Sequence, residues 1–175
     1  MNKQNKLDRL CYYINWFFAF AVFGYFFETT VQLFRGSNWS SGILYGPITP
    51  IYGWGIIIII LVFKLVKKFN LKKWLEVIVL FIFLIITITI LEQLGGMLIE
   101  SLFDIVYWNY ERYRFNWGPY VALEISLVWG ILSLFVGYFI VPKVSPLIKK
   151  IPKFITIILI IAFIINIILT YIAMR

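Results

Sequence analysis

Apolar positions run almost unbroken through five stretches, roughly Leu10 to Phe34, Ile43 to Phe63, Trp74 to Leu91, Gly118 to Val141 and Phe154 to Ala173. At about 1.5 Å per helical residue, each can traverse most or all of a hydrocarbon core about 30 Å thick. The expected fold is an all-α integral membrane helical bundle: five transmembrane helices in one transmembrane domain over residues 1–175. A sixth element has a different pattern. Leu91, Leu94, Leu98, Leu102 and Ile105 recur in steps of three and four, and Gln93, Gly96, Glu100 and Asp104 follow the same steps. That periodicity predicts an amphipathic helix over about 93–107, lying at the external interface and separated from span three by a bend at Gly95 and Gly96. Pro119 is expected in the first turn of span four, where its missing N–H costs nothing.

One span begins badly for a helix. Residues 42–55 read GILYGPITPIYGWG and open directly into the apolar run Ile56 to Phe63. In hydrocarbon every backbone N–H and C=O needs a partner, so irregular backbone at membrane depth survives only under protein cover or beside a wet cavity. The break is therefore the first place to look for a site.

Composition agrees with the pattern: mean hydropathy is +0.93 and 62% of residues are hydrophobic. The net charge of +8 has a topological explanation. Lys3, Lys6 and Arg9 precede span one, Lys64, Lys67, Lys68, Lys72 and Lys73 join spans two and three, and Lys143, Lys149, Lys150 and Lys153 join four and five. Twelve of the 16 basic residues thus fall on one side, and the positive-inside rule makes that side cytoplasmic, leaving the C-terminus external. The charged start resembles that of a signal peptide, but the apolar run is too long and lacks a small-residue cleavage site, so it is expected to stay as a span. The cationic loops suit an anionic leaflet, and no nucleic-acid partner is needed to explain them. They also offer a surface to a cytoplasmic protein.

Several chemistries are excluded. Histidine is absent and Cys11 is the sole cysteine, which removes His or Cys zinc clusters, histidine triads and an internal disulfide. No Walker A loop is present, so ATP is not hydrolysed by that route. No metal or other cofactor is implied, and the balance favours a protein that is not an enzyme.

The carboxylates collect on the external side. Glu28 lies near the outer end of span one, Glu92 ends span three, Glu100 follows on the amphipathic segment, and Glu124 sits about two turns inside span four. With the break, the candidate polar cluster is Glu28, Tyr45, Pro47, Pro50, Tyr52, Glu92, Glu100, Trp108, Asn109, Asn116 and Glu124. Ionisable groups inside spans are costly and usually functional. The alternative is that the carboxylates are solvated or paired with Arg35, Arg112 and Arg114, which is favoured for Glu100, Asp104 and Glu111, whereas Glu28 and Glu124 are expected to be buried. The aromatics mostly form interfacial belts, with Trp39, Tyr45, Tyr52, Trp108, Tyr110, Tyr113 and Trp117 outside and Tyr12, Tyr13, Trp16 and Trp74 inside. Span five carries one internal polar residue, Asn166, expected to hydrogen-bond another helix while the span packs against lipid.

The ordered set GYFFETTVQLFRG, GILYGPITPIYGWG, LEQLGGMLIESLFDIVYWNY and FNWGPYVALEISLVWGIL, over about residues 20–142, resembles the Putative ABC-transporter type IV family of small bacterial multispanning proteins. Gly24 to Glu28 match its Gly-aromatic-x-x-Glu, and Leu44 to Gly53 match its broken loop. Glu92 and Glu100 match its paired glutamates, and Trp108 to Tyr110 with Phe115 and Asn116 match its later motifs. Ser41 and Pro119 stand where the family usually shows arginines, and Asn109 where it shows aspartate. The resemblance implies a permease-like role with a separate ATPase.

Three functions are compatible with these observations. The first is a membrane component of a transport system in the bacterial cytoplasmic membrane, with a polar site at the outer leaflet and membrane lipids, an ATPase subunit or a second copy as partners. The second is an intramembrane or interfacial enzyme or accessory protein for lipid-linked or envelope substrates, with Glu28 and Glu92 as acid and base. The third is a structural or regulatory subunit without a ligand.

Overall fold

The computed structural model describes residues 3–34, 36 and 42–174, and their regular structure is helical. The helices are α1 (Lys3–Phe34), α2 (Pro50–Lys67), α3 (Lys73–Phe103), α4 (Leu123–Phe135), α5 (Val141–Ile148) and α6 (Lys153–Ala173). A π-helical turn, Val136–Ile140, joins α4 to α5 and makes them one continuous rod. Five helical segments among the described residues are long and apolar enough to cross a membrane: α1, α2, α3, the α4–α5 rod and α6. Expected spans and observed helices correspond one to one.

Their ends differ in three instructive places. Helix α2 starts at Pro50, not Ile43, because Gly42 (φ 98°), Pro47 and Pro50 resist helix and leave residues 42–49 as a loop. Pro50 takes the first helical position, where the absent N–H is harmless. Span four starts at Leu123, so Pro119 lies in the preceding loop, where its carbonyl accepts Tyr110 N–H at 2.7 Å. The largest correction concerns the amphipathic helix expected over 93–107. It does not exist as a separate element: α3 runs straight through Gly95 and Gly96 to Phe103. Glycine in a helix costs about 1 kcal/mol, but at Gly96 the missing side chain admits the ring of Tyr120, which packs where a Cβ would stand. Asp104 then ends the helix in the left-handed region (φ 54°), its N–H returning to Glu100 O at 2.8 Å.

The chain divides into two units, Met1–Ile57 with Ser145–Arg175, and Ile58–Val144. In the first, α1 and α6 run parallel, as spans one and five of a five-span chain must. Lys153 pairs with Asp8 at 2.5 Å, Thr156 donates to Asn15 Oδ1 at 2.9 Å, and Phe163 packs edge-on against Phe17 and Phe18 farther along. Buried Phe17, Phe18 and Ala21 form its core with Ile48, Ile57 and Ile160. Trp16 was expected in an interfacial belt, yet it is fully buried here. Trp39, Arg35 and Ser41 lie outside the described residues.

In the second unit α3 and α4 are antiparallel. Buried Leu80, Leu84, Ile88, Glu92 and Gly96 form a step-of-four stripe on α3, and Ser126, Gly130, Ser133 and Gly137 form a stripe of small residues on the α4 rod. Small residues let backbones approach closely, which is how helices associate where water supplies no hydrophobic drive. Gly130 receives Phe81 and Ile85, Gly137 receives the ring of Phe63, and Thr89 donates to Ser126 at 2.8 Å. At the lysine-bearing end the π turn aims Tyr138 at α3, where its hydroxyl donates to Glu76 at 2.8 Å and its ring lies 4.3 Å from Lys73 Nζ.

Candidate functional site

The sequence-predicted polar residues divide between the two units, and each group has its own geometry. In the first unit the break is a tied loop. Pro47 sits at the centre of a tight three-residue turn closed by Ile48 N–H to Gly46 O at 2.7 Å. Thr49 N–H reaches Ala21 O of α1 at 2.9 Å, and Tyr52 N–H returns to Thr49 O at 3.2 Å as α2 begins. Helix α6 supplies the remaining partners: Asn166 Oδ1 accepts from Gly46 N–H and Thr170 Oγ1 from Tyr45 N–H, both at 3.3 Å. A Cβ on Gly46 would run into the Asn166 amide, so a larger residue there would have to push that side chain aside. Thus the irregular backbone is covered by protein, the condition on which such backbone survives in a membrane. Asn166, expected to hydrogen-bond another helix, instead holds this loop, while Thr156 on the same helix bonds Asn15 of α1.

Tyr52 lies over Gly24, whose missing side chain makes room for the ring, and its ring meets Phe27 at 6.4 Å. Glu28 is half-buried one turn beyond Gly24 on the same face of α1. Tyr45 is 73% exposed, and Pro47 is also exposed. The loop therefore presents Tyr45 outward while its backbone is fixed from behind.

The second unit holds the remaining residues in a corner formed by α3, the loop 104–122 and α4. Glu92, only 6% exposed, accepts Trp129 Nε1–H at 2.9 Å and Tyr110 O–H at 3.4 Å, both on Oε1. Its Oε2 is buried and has no hydrogen-bond partner. Glu100, two turns farther along α3, is exposed and accepts the Tyr120 hydroxyl at 2.6 Å. That carboxylate, followed by burial, pushes the Tyr120 phenol up to about 12. Glu124 in the first turn of α4 accepts Phe115 N–H at 3.2 Å on Oε1, its Oε2 being buried without a partner. Trp108 donates to Tyr120 O at 3.2 Å and packs edge-on against the same ring.

Two predicted ligand groups are engaged in holding this loop. Asn109 bonds Glu111 through both ends of its amide, and Asn116 Nδ2 donates to Glu111 O and Tyr113 O at 3.0 and 2.6 Å. Asn116 also bridges Ala122 as a single antiparallel rung. Arg112 and Arg114, weighed as carboxylate partners, lie 5.4 Å over the rings of Tyr113 and Phe115. Glu92, Glu100 and Glu124 instead receive neutral donors: an indole, two phenols and a backbone N–H.

Residues that sequence reasoning missed are Trp129, Tyr120 as a donor, and Thr170. A tryptophan well inside a span, away from either belt, was the available signal, because a buried indole N–H seeks an acceptor. No curated protein and no solved structure matches this chain. A family model does, over residues 15–173, taking in both units and both groups of polar residues. The chain therefore belongs to the family described as Putative ABC-transporter type IV, an ABC-transporter-related group of membrane proteins.

Proposed function

We propose that this protein is the permease-like membrane component of a transport system, with Glu92 as the central polar group of its site and a separate subunit supplying ATP hydrolysis. The observation that carries this reading is the burial of Glu92 within a span with one carboxylate oxygen lacking a partner. A bundle selected only to be stable in lipid has no use for such a group, and ionisable residues at membrane depth mark substrate or ion pathways. The family's description supports the same direction. Because the sequence has no Walker A loop, energy must come from a partner or from a gradient.

In this reading the membrane is the bacterial cytoplasmic one. The lysine-rich connections face the cytoplasm, where they hold the orientation and meet the ATPase, and the Glu92 corner and the tied loop belong to the outer leaflet. Tyr45, exposed on a fixed backbone, is a contact for what arrives from outside. The test is purification from native membranes under mild detergent, followed by uptake assays in reconstituted vesicles. Recovery with a nucleotide-hydrolysing subunit and uptake lost in Glu92→Gln supports the proposal. A lone chain with no associated ATPase and no uptake discards it.

A further inference from the structure

We propose that the corner formed by α3, the loop 104–122 and α4 binds an organic ammonium group, which Glu92 receives on Oε2. The inference deepens the transport reading and rests on it, naming the chemical class of the ligand.

Three observations converge. The first is charge. The protein carries +8 overall, yet residues 77–142 contain five carboxylates (Glu92, Glu100, Asp104, Glu111, Glu124) against two arginines. This is the acidic region of a cationic chain, and Arg112 and Arg114 lie over neighbouring rings. The second is geometry. Trp129 and Tyr110 both donate to Oε1 of Glu92, so the residue is oriented while Oε2 stays buried and unpartnered at 6% residue exposure. A carboxylate oxygen cut off from water and from protein donors is costly to keep, and it is a ready acceptor for a donor brought by a ligand.

The third is the donor set. A metal ion wants several oxygens at once: calcium takes six to eight and magnesium six. Among the described residues no three or more of His, Cys, Asp and Glu gather closely enough to hold one. An ammonium needs less, because one N–H satisfies Oε2 as a charge-assisted bond, beside the rings of Trp129 and Tyr110 whose N–H and O–H hold Oε1. Tyr110 belongs to the loop, and its 3.4 Å bond is the longer of the two donors on Glu92, so it can yield as the ligand enters. The same chemistry is offered by a free amine and by an ethanolamine lipid headgroup.

The experiment uses the full chain in nanodiscs and reads its thermal unfolding. In phosphatidylglycerol discs, ethylammonium chloride is titrated against sodium chloride at matched ionic strength; in a second arm, phosphatidylethanolamine replaces part of the lipid with no amine added. Stabilisation in the first arm identifies a free amine as sufficient, and stabilisation in the second, with a blunted response to ethylammonium, identifies the headgroup. Glu92→Gln should weaken the effect by about tenfold in concentration, the loss expected for one charge-assisted bond. No stabilisation in either arm, or equal stabilisation of the variant, overturns the proposal. Should the variant fail to fold, wild-type protein is labelled with a carbodiimide and the sites are mapped by mass spectrometry, with trimethylammonium as the competitor because it carries one N–H yet cannot couple to an activated carboxylate as an amide. It should slow modification of Glu92 and spare exposed Glu100; slowing at both or at neither overturns the proposal. These readouts involve no partner and no uptake, so failure here leaves the transport reading to its own test.

Discussion

Gly96 and Tyr120 show how one missing side chain decides a local fold. The glycine lies on the buried face of α3 and the phenol ring occupies the space its Cβ would take. Gly96→Ala must therefore displace the ring, and with it Trp108 and the hydroxyl bond to Glu100. The expected cost is that of overpacking, about 1–3 kcal/mol, seen as a lower unfolding temperature in detergent. Tyr120→Phe keeps the ring and removes only the hydroxyl, so it separates packing from hydrogen bonding. Because its folded pKa is raised, Tyr120 favours the folded state fully below the ordinary phenol value of 10.0, and that contribution fades as pH climbs toward about 12. Wild-type stability should fall across that alkaline window by an increment that Tyr120→Phe lacks. Phenolate absorbance during the titration assigns the increment to this residue if one late-titrating tyrosine disappears in the variant.

At the scale of the element, α6 is mostly apolar and exposed, yet its buried positions Thr156 and Thr170, with Asn166 between, make the contacts that order the unit. Asn166→Ala should leave α6 helical and loosen residues 42–49, because Gly46 N–H loses its acceptor. One neutral hydrogen bond is worth about 1 kcal/mol, so amide exchange at Gly46 should accelerate roughly fivefold while Phe163 and its neighbours stay protected. Unchanged exchange at Gly46 would mean the loop holds itself. The sequence made all five spans legible, because runs of Ile, Leu and Phe of this length have few alternatives. It made the break legible too, through Gly42, Pro47 and Pro50. It misplaced the end of α3, because Gly95 and Gly96 carry the same local signal whether they bend a helix or admit a ring. Only Tyr120, 24 positions away, distinguishes the two.

The candidate site was legible as a list and not as an arrangement. Glu92 and Glu100 stand on one helical face by their spacing, but nothing local says that Trp129 and Tyr110 will meet on one oxygen of Glu92, or that Asn109 and Asn116 will be spent on loop carbonyls and Glu111. Tertiary pairing sets those facts.

For the whole molecule, the placement of charge makes the boldest claim, that the two connections flanking α3 face opposite sides of the membrane. The turn from Lys67 to Lys73 holds five lysines with Lys64, and left-handed Asn70 (φ 48°) closes α2, whereas residues 104–122 carry two arginines and no lysine. A helix of 31 residues, about 46 Å at 1.5 Å per residue, is ample to separate them across a bilayer. The single cysteine makes a clean measurement possible. In a Cys11→Ala background, one cysteine at Asn70 and another at Arg112, in separate variants, are exposed to a membrane-impermeant maleimide in intact cells and again after permeabilisation. Arg112→Cys should label in intact cells and Asn70→Cys only after permeabilisation. The reverse pattern would turn the bundle over while keeping every helix, and would carry the Glu92 corner to the cytoplasmic leaflet, where an imported ligand would leave the protein rather than enter it. Labelling of both from outside would mean that α3 does not span, and the five-span reading would fail with it.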